Sequence, residues 1–274
     1  MLSSHRSATI SVATELVYDV ETPTTFAFAV AAARNDRQRV IEEDLELTPS
    51  IEPVIEPYGE GGTHQLVRFD AEPGELALRY RAVVDVAPPR ADPSNRSEVD
   101  FGAVPADLLP YLNPSRYCES DRMVDLAERL VGDVQPGGAR VEAVSQWVHD
   151  ELTYESGSTD GSSSAADVLL QRAGVCRDFA HVAIALCRAL GIPARYVSAY
   201  GVGVEPQDFH GVFEAYLSGS WWLFDPTGMT SPHGLVRIAV GRDAADASFA
   251  TFAGTASLVD KSVSVAPLVR AATV

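Results

Sequence analysis

The spacing of the apolar residues changes once along the chain, and this limits the fold more than any other feature. From residue 8 to about 88 the apolar runs are short and alternating: "TISVATELVYDV", "TFAFAVAAA" and "HQLVRFDAEPGELALRYRAVVDVAP". In the last of these, Leu76, Leu78, Tyr80 and Ala82 share one face at a spacing of two, the pattern of a half-buried strand. Pro23, Pro49, "PYGEGG" and "EPGE" break the runs where turns are needed. After "PPRADPSNRSE", residues 88–98, which has the composition of a linker, the spacing becomes three and four. Helical segments come first there and strands follow, an order that predicts an α+β fold rather than a parallel βαβ array. The expectation is an N-terminal antiparallel β-rich domain, residues 1–95, then residues 96–274 as helices packed on an antiparallel sheet with C-terminal strands. At 274 residues the chain is long enough for one large core or two ordinary ones.

Three segments precede the strands. Ser120 stands as an N-cap before "DRMVDLAERLVGD", where Met123, Leu126, Ala127, Leu130 and Val131 follow helical spacing. "ARVEAVSQWVHDELTY" repeats the pattern through Val141, Val144, Val148 and Leu152, and "SSAADVLLQ" is a shorter case. The strand-like runs are "ARYVSAYGVG", "GVFEAYL", "SWWLFD" and "LVRIAVG".

Between them lies "RAGVCRDFAHVAIALC", residues 172–187. A helix starting near Cys176 puts Phe179, Ala183, Leu186 and Leu190 on one stripe, with Cys176 at its edge and Gly191-Ile192-Pro193 as the stop. A thiol on the first turn faces unsatisfied N–H groups and the positive end of the helix dipole, which favour the thiolate. Gly174, with no side chain, would let a substrate approach the sulfur. The competing reading is a small buried residue, since free cysteine is often in the core. Cys187, deep in "IALCRAL", and Cys118, in "SRYCESD", read as packed thiols.

A nucleophile needs a base. His181 is five residues after Cys176 and points about 140° away on a helix, which excludes it. His149 lies on the polar side of its helix, His5 and His64 belong to the first domain, and His233 follows "TSP" in a loop. His210 remains, at the start of a strand in "QDFHGVFEAYLSGSWWLFDPT". The "SGS" at 218–220 signals a tight hairpin, and the return strand ends in Asp225, almost opposite His210. Cysteine, histidine and an orienting carboxylate form the arrangement of nucleophilic acyl transfer. The alternative for His210 and Asp225 is a structural hydrogen bond beside a turn.

"GVCRDFAHVAIALCRALGIPARYVSAYG" followed by "DFHGVFEAYLSGSWWLFDPT" resembles the transglutaminase-like superfamily, in its bacterial branch of transglutaminase-like cysteine proteases. "YLNPSRYCESD", "WVHDELTY" and "GRDAADASFAT" are similar to that branch, and residues 8–88 resemble its N-terminal β domain. The resemblance implies a papain-like core with Cys176 as nucleophile, His210 as base and then acid, and Asp225 as the residue that orients the imidazolium. It departs at His210-Gly211-Val212, where many relatives carry His-Ala-Trp, so no tryptophan shapes the acyl-donor groove there.

The implied reaction is attack of Cys176 on an amide or ester, giving a thioester resolved by water or by an amine. The backbone N–H of Cys176 is the first expected oxyanion donor, and Tyr154, Trp147 and Gln171 are candidates for the second. No cofactor is required, and no D-x-D-x-D-G calcium loop is present. The expected partner is a peptide or protein substrate, with or without an amine acceptor. A non-catalytic peptide-binding module and an amine N-acyltransferase are the alternatives on the same residues.

Charge bears on partners. The net charge is −17, and Lys261 is the only lysine among 21 bases. Nucleic acid or an anionic membrane would be repelled, whereas basic or amine-bearing partners are favoured. Asp178, Glu205, Asp208 and Glu214 lie near the motif and would either attract a cationic substrate or serve as solvated surface acids. Three cysteines with no C-x-x-C pair argue against a disulfide framework or structural zinc. The first twenty residues lack a basic end followed by an apolar stretch, so a reduced cytoplasmic protein is expected.

Overall fold

The computed structural model describes residues 7–87 and 92–268; His5 and the first part of the expected linker lie outside the described residues. The strands are β1 (Ala8–Val20), β2 (Thr24–Phe28), β3 (Gln38–Thr48), β4 (Val54–Tyr58), β5 (His64–Ala71), β6 (Gly74–Val86), β7 (Thr153–Tyr154), β8 (Ala173–Gly174), β9 (Ala194–Gly201), β10 (Phe209–Leu217), β11 (Ser220–Phe224), β12 (Leu235–Gly241), β13 (Ala250–Ala253) and β14 (Ala256–Leu268). The α-helices are α1 (Val124–Val131), α2 (Gly138–Glu151), α3 (Ala165–Gln171) and α4 (Cys176–Ala189).

The alternation in the first third builds two antiparallel sheets, ordered β14-β1-β6-β3 and β13-β2-β5-β4. Ile10, Val12, Leu16 and Tyr18 of β1, with Leu76, Leu78 and Tyr80 of β6, turn inward and are buried. Tyr18 packs edge-on against Phe26 and Phe28, 5.3 and 5.7 Å between ring centres, so the two sheets share one aromatic core.

The last two strands depart from the expected division of the chain. The sequence predicts residues 96–274 as one unit, but β13 pairs with β2 and β14 pairs with β1, from Thr9 opposite Leu268 to Val20 opposite Ala256. Alternation alone does not say which edge a strand will join. Without β14, β1 would present its N–H and C=O groups as an open edge, which the returning strand covers.

The second half places α4 at its centre. It packs on β10 and β9 on one side and on α1, α2 and α3 on the other. Every residue from Asp178 to Arg188 is buried, so the expected apolar stripe is instead a helix enclosed all round. Arg188 and His181 are the polar members with the longest reach, and His181 Nδ1 has no hydrogen-bond partner among the described residues. Arg188 donates to the carbonyls of Ala194 at 2.9 and 3.0 Å and of Asn113 at 3.1 Å, and to the Ser115 hydroxyl at 2.9 Å. His181, stacked on Tyr117 at 5.0 Å, accepts the Ala244 N–H at 3.1 Å.

The helix boundaries follow local chemistry with one exception. Ser164 and Asp167 form a reciprocal capping box on α3. Ser120 does not cap α1; it opens a short 3-10 turn, Ser120–Arg122, and α1 begins after Met123 with no side-chain cap. The hairpin between β10 and β11 is closed by Ser218 and Gly219 at φ 48° and 77°, the left-handed pair that a two-residue turn needs. Among the described residues no helix is long and apolar enough to cross a membrane.

Candidate active site

Cys176 is the first residue of α4 and is half-buried, whereas Cys118 and Cys187 are fully buried. Burial pushes the Cys118 thiol up to about 12 and raises Cys187 further, which makes both inert at neutral pH. The start of α4 is fixed by Asp178, whose Oδ2 accepts the Val175 N–H at 2.9 Å and the Thr159 hydroxyl at 2.5 Å. Its Oδ1 accepts Nε and Nη2 of Arg177 at 2.9 and 2.7 Å. Asp178 is therefore a buried structural acid, not a solvated one or a substrate contact. It also explains Gly174: a Cβ there would lie 2.7 Å from Cβ of Asp178, so the glycine makes room for the cap rather than for a substrate.

β10 carries His210, and β11 ends just before Asp225. The imidazole Nε2 lies 3.0 Å from Oδ2 of Asp225, and both side chains are almost wholly buried. Asp225 is held in turn by the N–H and hydroxyl of Thr227 at 3.0 and 2.7 Å and by the Thr230 N–H at 3.0 Å. Burial opposes its charge, but the His210 bond and these donors outweigh burial and hold the carboxyl below the usual range. The D-P-T turn thus supplies both the carboxylate and part of its support.

The other imidazole nitrogen, Nδ1, has no hydrogen-bond partner, and the Cys176 thiol points to the Phe209 carbonyl at 3.9 Å. Burial disfavours the imidazolium, yet the Asp225 bond and the adjacent Cys176 prevail and lift His210 to about 9. The strand end that bears His210 is fixed by Phe209, stacked on Phe249 at 4.9 Å and tilted against Tyr200 at 5.5 Å. His149, exposed on α2, lies with Nδ1 3.3 Å from the Pro226 carbonyl and so braces the Asp225 turn from outside.

The three oxyanion candidates separate cleanly. Tyr154 pairs with Gly174 through the parallel β7–β8 ladder. Burial, then the neighbouring Cys176, raise its phenol far above the ordinary value. Trp147 packs against the hydrophobic core. Gln171 is exposed and donates its amide to the Ser158 carbonyl at 2.5 Å. The β7–β8 ladder and the proximity to Cys176 distinguish Tyr154 from the other two.

Of the remaining nearby acids, Glu205 is exposed and Asp208 pairs with Lys261 at 2.5 Å. Glu214 is buried between two arginines. Among the described residues no group of His, Cys, Asp and Glu converges to hold a metal ion. His181 is neutral, pushed down to about 4 chiefly by burial, and faces away from the thiol toward Ala244.

A helix headed by a cysteine, laid on an antiparallel sheet whose neighbouring strands join a histidine to an aspartate, defines a transglutaminase-like core. The family model of the transglutaminase-like superfamily matches residues 124–226, and that of the bacterial transglutaminase N-terminal domain matches residues 9–106. The crystal structure of a "putative cysteine protease" from Cytophaga hutchinsonii is similar with a TM-score of 0.90 and 38% identity, covering 98% of this chain and 93% of that one. An uncharacterized protein of Mycobacterium leprae is 31% identical over 247 residues, 84% of this chain and 87% of its own length. A segment of 53 residues is 53% identical to part of an uncharacterized Mycobacterium tuberculosis protein, covering 19% of this chain and 17% of that one. The chain belongs to the transglutaminase-like superfamily, and its N-terminal part to the bacterial transglutaminase N-terminal domain.

Proposed function

We propose that this protein is a cysteine-dependent acyl-transfer enzyme acting on an amide or ester of a peptide or protein. Cys176 is the nucleophile, His210 the base and then the acid, and Asp225 the group that orients and stabilises the imidazolium. One observation carries this reading: His210 bonds a buried carboxylate through Nε2, while Nδ1 is unpartnered beside a half-exposed thiol.

The steps follow from the residues. Nδ1 holds the proton that the thiol has given up, and the sulfur bonds to the carbonyl carbon as the C=O pair moves onto oxygen. The backbone N–H of Cys176 and the Tyr154 hydroxyl are the donors for that oxygen. As the C=O bond re-forms, the bond to the leaving group breaks, and His210 returns its proton to the departing amine or alcohol. A thioester remains on Cys176. Water or a primary amine then attacks, losing a proton to Nδ1, and the sulfur departs to regenerate the thiol. Water gives hydrolysis and an amine gives transamidation, both through the same base. None of these steps calls for a cofactor, and three free thiols suit a reducing compartment.

The test is mass spectrometry of the intact protein after exposure to an activated ester, with and without a primary amine. The wild type should accumulate an acyl adduct on Cys176, Cys176→Ala none, and His210→Ala an adduct formed far more slowly. An adduct that forms equally in His210→Ala, or never on Cys176, rules the reading out.

A further inference from the structure

Lys261 is the only lysine among the 21 bases of the chain, all the others being arginine. It lies on β14, where it shares a face with the buried Val263 and Val265 and stands opposite the buried Leu16 of β1. From there its Nζ reaches out of the sheet to Oδ2 of Asp208 at 2.5 Å. Asp208 is tied in turn to the proposed site. Its Oδ1 accepts the Phe209 N–H at 2.7 Å, and the Phe209 carbonyl is the group to which the Cys176 thiol points at 3.9 Å. The Asp208 charge also bears on the Tyr154 phenol beside Cys176. A second contact fastens the same loop to β14: Gln207 Nε2 donates to the Val265 carbonyl at 3.1 Å, and its Oε1 accepts the Val265 N–H at 3.0 Å. The amine of Lys261 is thereby anchored two residues before His210.

Pairing with a carboxylate does not require lysine. On strands β3, β5 and β6 of the same two sheets, Arg39, Arg68 and Arg79 hold their acidic partners. What lysine alone supplies is a nucleophilic amine on a flexible four-carbon stem. The side chains of Lys261 and Asp208 are 32% and 40% exposed, and an ion pair so exposed is weakly held. Nζ therefore leaves Asp208 without stranding a buried charge, and the stem lets it turn toward the thiol.

We propose that Lys261 is an internal acyl acceptor: an acyl group carried on Cys176 passes to Nζ and ends as an amide on β14. The step rests on the acyl-transfer reading given above. Nζ, having given one proton to water, bonds to the thioester carbonyl carbon while the C=O pair moves onto oxygen. As the C=O bond re-forms the C–S bond breaks, the nitrogen passes a second proton to Nδ1 of His210, and the sulfur leaves as thiolate. The amide has no ammonium charge and no further nucleophilic amine, so each chain completes this transfer once and keeps its acyl donor attached.

The experiment gives the wild-type protein a brief pulse of p-nitrophenyl acetate, removes the excess and follows the acetyl group by peptide mass spectrometry with no amine added. Acetyl should appear on Cys176 first and decline there as it rises on Lys261, at a rate independent of protein concentration, as an intramolecular step requires. Cys176→Ala should carry at least about tenfold less acetyl on Lys261, because the direct reaction lacks the advantage of proximity. Wild type blocked with iodoacetamide repeats that control without a substitution. In Lys261→Arg, which keeps a cation for Asp208, the acetyl group should leave Cys176 only to water. Acetyl that forms on Cys176 and is lost to water with Lys261 unmodified overturns the proposal and leaves the acyl-enzyme reading standing. Equal acetylation of Lys261 in the blocked protein is direct labelling and overturns it as well. No acetyl on either residue refutes both.

Discussion

Tyr154 stands level with Gly174 in the parallel β7–β8 ladder, which holds its phenol beside the first residue of α4. The Glu155 N–H bond to the Gly174 carbonyl at 2.9 Å and the Thr153 N–H bond to the Arg172 carbonyl at 2.9 Å fix this register from both sides. If the phenol steadies the oxyanion, Tyr154→Phe should lower kcat about 100-fold with little change in KM. Alkylation of Cys176 should stay near the wild-type rate, which separates loss of the donor from loss of the nucleophile.

Asp225→Asn removes the carboxylate that holds the imidazole but keeps the shape of the turn. Turnover should fall by about three to four orders of magnitude, as for other triads that lose their carboxylate. His210, at about 9 in the folded protein, lies above the ordinary 6.5, so its contribution to stability is complete below 6.5 and lost as pH rises through 9. Urea unfolding of the wild type should therefore show stability declining across that alkaline window, with a weaker decline in Asp225→Asn.

Glu214 shows the opposite sign. The arginines outweigh burial and hold it at about 2, below the ordinary 4.5. Its contribution is present above 4.5 and is lost as pH falls toward 2. Glu214→Gln leaves two buried cations without their carboxylate and should cost about 3–5 kcal/mol at neutral pH, read from denaturant midpoints.

The departure at His210-Gly211-Val212 has a packing cause. A Cβ on Gly211 would lie 2.5 Å from the Tyr196 hydroxyl and 3.1 Å from Cα of Arg177 on α4. Gly211→Ala should destabilise by about 1–3 kcal/mol through overpacking. Tyr196→Phe in the same chain should recover part of that loss, measured as a double-mutant cycle.

Periodicity made the fold legible where each element buries one face. The alternation in β1 and β6 and the spacing in α2 and α3 correspond to observed elements. The juxtaposition of His210 and Asp225 was legible as well, because a short hairpin leaves little freedom in where its ends meet. Asp178 was not recognised as the anchor of α4, although an acid three residues after Val175 is a capping signal. Glu214 looked like any surface acid because its partners, Arg195 and Arg237, come from two other strands. The choice of Tyr154 over Trp147 and Gln171 depends on a two-residue ladder too short to leave a pattern. The return of β14 to β1 was invisible for a related reason, since edge pairing is decided by tertiary geometry.

That return sets the order in which the molecule can be completed. β1 lies between β6 and β14, so the first sheet acquires its last strand only when residues 256–268 have been made. The sheet beneath α4, whose last strand ends at Gly241, has all its strands before then. On a ribosome β1 would be made long before the strand that closes it, with one of its edges unsatisfied throughout the intervening synthesis. A chain interrupted after β12 would retain Cys176, His210 and Asp225 yet expose that edge, making it a template for aggregation.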